Sequence, residues 1–326
     1  MATTTTGPAF GIKLMSEMRS PAELIDHATG AEERGFDLVA ISDHIHPWLS
    51  SHGHSPSAWP VLGAIAERTE QLEIATGLTC PILRYHPAIV AQMAATVATM
   101  SDGRFTLALG AGERLNEHVT TDRWPATPVR HEMLAEAVEV MRALWTGEVT
   151  NHRGEHYLVD DAQLYDLPDD PIDVVVGVSG RDSLDLARSV DAAGIMAVDP
   201  EPGLVDGWSE RGGAVDRTYT EVPFAVAASD QEGLELAHRF FRFGAPGWSV
   251  MAELPNVRAF DAATEAVQPE DLADDIPHGP DADSYVEVVR TFLDAGFRRI
   301  SFVPVGDDLD RFWSIATEVA GELRST

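Results

Sequence analysis

At 326 residues, 44% of them hydrophobic, the chain is long enough for a large α/β barrel with a substantial core. It carries 53 acidic against 23 basic residues, a formal charge of −30, and Lys13 is its only lysine; so negative a surface excludes nucleic acid and anionic membranes as partners. There is no apolar run long enough for a membrane span and no secretory signal, and the one cysteine, Cys80, builds neither an internal disulfide nor a thiolate metal site, which points to a reducing cytoplasm.

Met1–Pro8 reads as a disordered lead-in. Ala9–Met15 is the expected first strand, and Pro21–Gly35 a helix with Ser20 as N-cap, Pro21 in the first helical position and Gly35 as terminator. Phe36–Ser42 follows as the second strand and Trp59–Glu70 as a helix. Leu72–Leu78 is the third strand, Pro87–Met100 a helix, Arg104–Gly110 the fourth strand and His131–Leu144 a long helix. The rhythm breaks at Gly147–Pro168, where Val149–Tyr157 reads as a hairpin around Arg153-Gly154. It resumes with a fifth strand at Ile172–Gly177, a helix at Arg181–Ala193 and a weak sixth strand at Gly194–Val198. Glu221–Ala228 is the seventh strand, with Pro223 near its start. Residues 230–280 read as helical, irregular and acidic. Ser284–Gly296 is a helix, Arg299–Pro304 the eighth strand and Leu309–Leu323 the closing helix. Eight strands with intervening helices and no break in composition indicate an α/β fold, a (β/α)8 TIM barrel. It is expected as one domain over residues 1–326, with insertions at about 147–168 and 230–280.

Barrel enzymes carry their chemistry where strands end and loops begin. Four such ends hold unusual clusters: Ser42-Asp43-His44-Ile45-His46-Pro47-Trp48; Gly77-Leu78-Thr79-Cys80-Pro81 with Arg84-Tyr85-His86-Pro87; Gly110-Ala111-Gly112-Glu113-Arg114-Leu115-Asn116-Glu117; and Gly177-Val178-Ser179-Gly180. Singly, each has an ordinary explanation, as a helix cap or a generic loop. Together they fall on one face of the barrel. His44, His46, His52 and His54 lack the helical spacing and third ligand of a zinc site, so no metal is expected. Hydride transfer assisted by an acid and a base suits the set. A neutral imidazole at His44 takes a hydroxyl proton, Asp43 tunes it, Trp48 supplies an indole N–H and an apolar wall, and Glu113 exchanges a proton with a cofactor. The hydride acceptor must come from outside, since no side chain does that work.

In this order the clusters resemble the F420-dependent branch of the luciferase-like oxidoreductases, particularly the glucose-6-phosphate dehydrogenase group and its alcohol-dehydrogenase relatives. The most specific pieces are Ser42-Asp-His-x-x-Pro-Trp48, Arg84-Tyr-x-Pro-Ala88 with Ala91-Gln92, and Gly110-x-Gly-Glu-x-Leu-Asn-Glu117. The resemblance is strongest from Gly11 to Gly194. It implies coenzyme F420, with a hydride moving from a hydroxyl-bearing carbon of a small-molecule substrate to the deazaflavin C5. It further implies that Asp43 contacts the deazaflavin, His44 is the base, Trp48 stabilises charge developing on the substrate and Glu113 is the acid. By the same resemblance Gly77-Leu78 is a non-prolyl cis peptide under the cofactor ring, and Gly112 and Asn116 line the site. Backbone N–H groups of Val178, Ser179 and Gly180 hold the cofactor phosphate. Relatives are commonly homodimers.

One departure bears on the substrate. Sugar-phosphate enzymes of this kind bind the phosphate through lysines and an arginine in the second half of the barrel. Here no lysine follows Lys13, and the corresponding stretch, Leu272-Ala-Asp-Asp-Ile276, is acidic. A neutral alcohol, hydroxy compound or unphosphorylated sugar is therefore expected over a hexose phosphate. The rivals are glucose-6-phosphate dehydrogenase proper, a methylene-tetrahydromethanopterin reductase, an FMN-dependent monooxygenase and a non-catalytic cofactor-binding barrel. The extreme acidity is expected to reflect a salty, halophilic cytoplasm, where about 1 M salt shortens the Debye length to about 3 Å.

Overall fold

Branched apolar residues spaced two apart along the expected strands become the two faces of a closed parallel ring. The computed structural model describes residues 7–325; the expected lead-in lies outside them except for Gly7 and Pro8. The ring consists of β1 (Ala9–Leu14), β2 (Leu38–Ile41), β3 (Glu73–Thr76), β4 (Phe105–Leu109), β5 (Asp173–Gly177), β6 (Gly194–Met196), β7 (Thr218–Val226) and β8 (Arg299–Pro304). Each strand pairs in parallel with its sequence neighbours, and β8 pairs with β1 to close the ring. Alternation decides what fills it. Leu38, Ala108, Val175, Met196 and Tyr219 form a cluster inside the barrel, while their neighbours Val39, Leu107, Val174 and Ile195 belong to the larger outer cluster under the helices.

The N-terminal end of the barrel is closed by polar groups. Glu73, which opens β3, accepts from the Tyr219 hydroxyl at 2.7 Å and from Thr106 at 3.1 Å, and it pairs with Arg299. Chemistry is thereby left to the opposite end, where the loops are long. The first helix begins as expected: the Ser20 side chain accepts from the Glu23 N–H and Glu23 reaches back to Ser20, with Pro21 in the first turn.

Several boundaries differ from expectation. The fourth long helix starts at Thr127 instead of His131, because Pro128 sits in its first turn, where no N–H is needed. A helix at Pro202–Glu210 was not expected; Gly203 and Gly207 disguise it as loop. β7 begins at Thr218, three residues before the expected Glu221, since Tyr219 and Thr220 pair in register with Arg299 and Ile300. The hairpin pairs Thr150–Arg153 with Leu158–Ala162, so its second strand lies beyond the expected segment. Its turn folds around Glu136, whose carboxylate accepts from the N–H groups of Glu155, His156 and Tyr157 and from His152. A Cβ on Gly154 would come within 2.0 Å of that carboxylate, so only glycine admits the approach.

Within residues 230–280 the helices are Asp230–Phe241, Trp248–Met251 and Val257–Ala263, and His278–Gly279 adds a short strand beside β7. Ala237, Phe240, Phe243, Met251, Phe260, Leu272 and Ile276 from this insertion join Met15, Met18, Trp48, Leu115 and Val303 in a separate buried cluster over the C-terminal end of the barrel. No helix among the described residues is long and apolar enough to cross a membrane.

Candidate active site

His44 follows β2 and is nearly buried, at 9% exposure. Its Nδ1 lies 2.8 Å from Glu17 Oε1, and its Nε2 lies 3.8 Å from Glu113 Oε1. The first contact is short but bent away from a well-formed hydrogen bond, so it acts chiefly through charge. Burial pushes the Glu17 carboxyl up, but the His44 charge and contact outweigh it, and Lys13 adds to the effect; the result is about 2. His44 shows the reciprocal behaviour. Burial pulls the imidazole down, yet Glu17 and then Glu113 raise it above the ordinary histidine value.

Glu113 is held from its own short helix, Arg114–Glu117. Asn116 Nδ2 donates to Glu113 Oε1 at 2.5 Å. The same side chain accepts through Oδ1 from the backbone N–H of Ile45 at 2.8 Å and of His46 at 3.0 Å. Asn116 is 1% exposed. Gly112, just before the acid, has φ 76°, and a Cβ there would meet Cys80 Sγ at 2.5 Å. The loop therefore turns only on glycine.

Asp43 points away from His44 into a polar nest. Its carboxylate accepts from the Thr79 hydroxyl at 2.8 Å and the Tyr85 hydroxyl at 3.2 Å, and it lies 3.4 Å from Arg84. Arg84 also donates to the Asp43 carbonyl at 2.6 Å, while its backbone N–H donates to Glu117 at 2.8 Å. Burial lifts Glu117 to about 7 despite that N–H and the Arg84 charge. Trp48 meets the His44 ring edge-on at 4.7 Å, stacks on Phe243 at 5.1 Å and touches the edge of Phe260 at 5.2 Å. The insertion is tied to these loops by Ala252, whose carbonyl accepts from Arg114, and by Phe240, whose carbonyl faces His52 Nε2 at 2.9 Å.

Gly77-Leu78 is a cis, non-prolyl peptide. Lys13 Nζ, buried inside the barrel, donates to the Gly77 carbonyl and to Glu221, each at 2.6 Å. At the start of the helix Arg181–Ser189, the Val178 N–H donates to Met196, and those of Ser179 and Gly180 donate to Ser183 Oγ. The loop thus spends these amides internally, with a hydroxyl oxygen where an anion oxygen would otherwise accept.

The four clusters read from the sequence do come together on one face. Glu17, Lys13 and Glu117 were missed as site residues. Glu17 follows β1, so applying the strand-end rule to that strand would have found it. Among the described residues no group of three or more histidine, cysteine or acidic side chains is placed to hold a metal ion.

A model of the luciferase-like monooxygenase family matches residues 3–299. The F420-dependent glucose-6-phosphate dehydrogenase of Nakamurella multipartita is 35% identical over 328 residues, covering 95% of this chain and 94% of that protein. The F420-dependent hydroxymycolic acid dehydrogenase of Mycobacterium tuberculosis is 34% identical over 332 residues, covering 99% and 91%. Among solved structures, an F420-dependent secondary alcohol dehydrogenase in complex with an F420-acetone adduct superposes with a TM-score of 0.89 at 28% identity, covering 98% of this chain and all of that one.

Proposed function

This chain belongs to the luciferase-like monooxygenase family, and from that premise we propose that it is an F420-dependent dehydrogenase moving a hydride from a hydroxyl-bearing carbon to the deazaflavin. The observation that carries the reading is the placement of His44, with Glu17 behind Nδ1 and Glu113 3.8 Å from Nε2. A barrel that only carried a cofactor would need neither base nor acid.

The residues fit such a cofactor. Nδ1 of His44 faces Glu17 while Nε2 has Glu113 at 3.8 Å, beyond hydrogen-bond reach, and nothing lies within 4 Å of the open face of Gly180, where a bulky anion needs room. We assign Gly77, Leu78 and Gly112 to the cofactor's ring; to its phosphate we assign the open face at Val178, Ser179 and Gly180, whose N–H groups are not free to donate as the resemblance implied but are taken by Met196 and Ser183. Asp43 and Asn116 complete the site. Bound, the deazaflavin supplies the hydride acceptor. His44 Nε2 removes the hydroxyl proton as the carbon gives up hydride, and Glu17 offsets the positive charge the ring acquires. Glu113 is the group through which a proton would pass to the cofactor side. Trp48, fixed by Phe243 and Phe260, walls the reacting carbon from water.

For the substrate we infer a neutral alcohol or hydroxy compound. Lys13 is committed to Glu221, Arg242 lies 3.9 Å from Asp261, and Leu272 and Ile276 turn into the apolar cluster with Trp48 while Asp274 and Asp275 face solvent. The names of the relatives favour a second reading, glucose 6-phosphate. A screen of alcohols and sugars, with and without phosphate, by loss of deazaflavin absorbance separates the two. Strict dependence on a phosphate would overturn the neutral reading; binding of FMN but not the deazaflavin would overturn the cofactor. His44→Ala is expected to lower turnover by about 10²–10⁴-fold while leaving cofactor affinity near its original value.

We also infer a homodimer in a salty, reducing cytoplasm. The charge of −30 and the lone buried Cys80 support the compartment. An open groove of about 460 Å³ between the helices Ala58–Arg68 and Pro87–Met100, where exposed Met100 lies beside Glu67, Gln92 and Thr96, is the surface we assign to the dimer contact.

A further inference from the structure

Arg130 stands in the first turn of the helix Thr127–Leu144, with its guanidinium turned inward and 5% of the side chain exposed. The planar fork serves several acceptors at once. Nε donates to the Ala111 carbonyl at 3.2 Å, and the terminal nitrogens donate to the Pro125 carbonyl at 2.7 Å and to Thr127 Oγ1 at 3.2 Å. The guanidinium carbon lies over the Trp124 ring, 4.1 Å from its centre. Glu253, from the insertion, completes the arrangement. One of its carboxylate oxygens is 3.7 Å from Arg130, and the other accepts from Trp124 Nε1 at 2.8 Å.

These contacts enclose the acid. Ala111 stands two residues before Glu113, so Arg130 holds the carbonyl on that side. On the other side, the backbone N–H of Arg114 donates to the Ala252 carbonyl at 2.9 Å. Both holds lead to adjacent residues of the insertion, Ala252 and Glu253. The segment that brings Phe243 and Phe260 to Trp48 also grips the acid.

We propose that Arg130 is a positioning residue that, with Glu253 and Trp124, couples the docking of the insertion to the placement of Glu113. The inference rests on the reading of Glu113 as the acid. The clasp needs arginine, because a lysine ammonium is a point charge that cannot meet Ala111, Pro125 and Glu253 together while lying over an indole. It can be undone from outside: the Glu253 side chain is 55% exposed, whereas Arg130 is buried.

Glu253→Ala opens the clasp without opening the core, and Arg130→Lys weakens it from within. Amide hydrogen exchange, measured with no cofactor present, should quicken in both variants over residues 112–117 and 248–256 together. The change should be about threefold or more, the effect of losing a partly exposed ion pair. Turnover should fall about 10–100-fold, as for a catalytic group displaced by about 1 Å, with the substrate KM moving less than about threefold. In a Glu113→Gln background, Glu253→Ala should lower turnover by less than about twofold further, since the group it positions is already gone.

Exchange that quickens in 248–256 alone means that the insertion docks without holding the acid, and overturns the coupling. A full additional loss of turnover in the Glu113→Gln background means that the clasp acts through something other than the acid, and overturns the positioning role. Wild-type turnover in Glu113→Gln by itself would remove Glu113 as the acid and the catalytic half of the proposal with it. Joint exchange of the two segments would still establish the coupling.

Discussion

With one buried carboxylate 2.8 Å from its Nδ1 and another 3.8 Å from its Nε2, the His44 ring titrates between two negative groups. Its pKa is raised for that reason, against the pull of burial. Only the neutral ring accepts a proton, so substrate oxidation should rise as pH passes upward through that value. Glu17→Gln removes the nearer of the two charges, the one with the larger effect, and the rising limb of kcat/KM should move to lower pH. Its plateau should also drop, by roughly 10–100-fold, because the ring loses its orienting partner. A pH profile with the limb unmoved would show that Glu17 does not control the base. Asp43, His44, Trp48, Glu113 and Asn116 were legible because they stand in dense, polar strand-end motifs. Glu17 was not: it stands as a lone acid between Met15 and Met18 in the short link after β1, and its partner His44 is 27 residues away. The division of work between Asp43 and Asn116 was also illegible, since which way a side chain turns depends on Thr79, Tyr85 and Ile45 from other loops.

At the level of elements, strands and helices with one apolar face were readable, some to the residue, as Pro87–Met100 and Arg299–Pro304 were. Elements defined by partners were not. The hairpin was expected around Arg153-Gly154, but its turn is organised from outside, by Glu136 on the helix Thr127–Leu144. The carboxylate meets three backbone N–H groups and the His152 ring. Burial raises its pKa, and the His152 contact and backbone donors more than reverse that. Glu136→Ala should therefore free the turn, raising amide exchange across residues 152–158 and destabilising the protein by about 1–3 kcal/mol. Exchange confined to wild-type levels would mean that the hairpin holds its own shape. The insertion at 230–280 shows the same limit at larger size: its acidic composition was plain, but its contribution of Phe243 and Phe260 to the Trp48 wall depends on a fold-back that no local pattern encodes.

Taken whole, the molecule has 53 carboxylates against 23 cations. Much of its arginine is already engaged, in pairs such as Arg217–Asp173, Arg299–Glu73 and Arg211–Asp185. The surplus negative charge repels itself across the surface, and salt should relieve it. Melting temperature is expected to rise by at least about 4 °C between low salt and roughly 2 M KCl, a gain worth about 2–3 kcal/mol for a chain of this length. Sedimentation over the same series tests the dimer. A melting point indifferent to KCl would leave the acidity without a role in salt tolerance, and a monomer at every concentration would dispose of the proposed pair. The other extreme of the composition has a different consequence. The chain's only side-chain amine, Lys13, is sealed within the barrel against Glu221 and Gly77. Amine-reactive labels and cross-linkers will find no lysine on the folded surface. Whatever label Lys13 does acquire, it acquires when the barrel opens, so this one residue is a built-in clock for the molecule's unfolding.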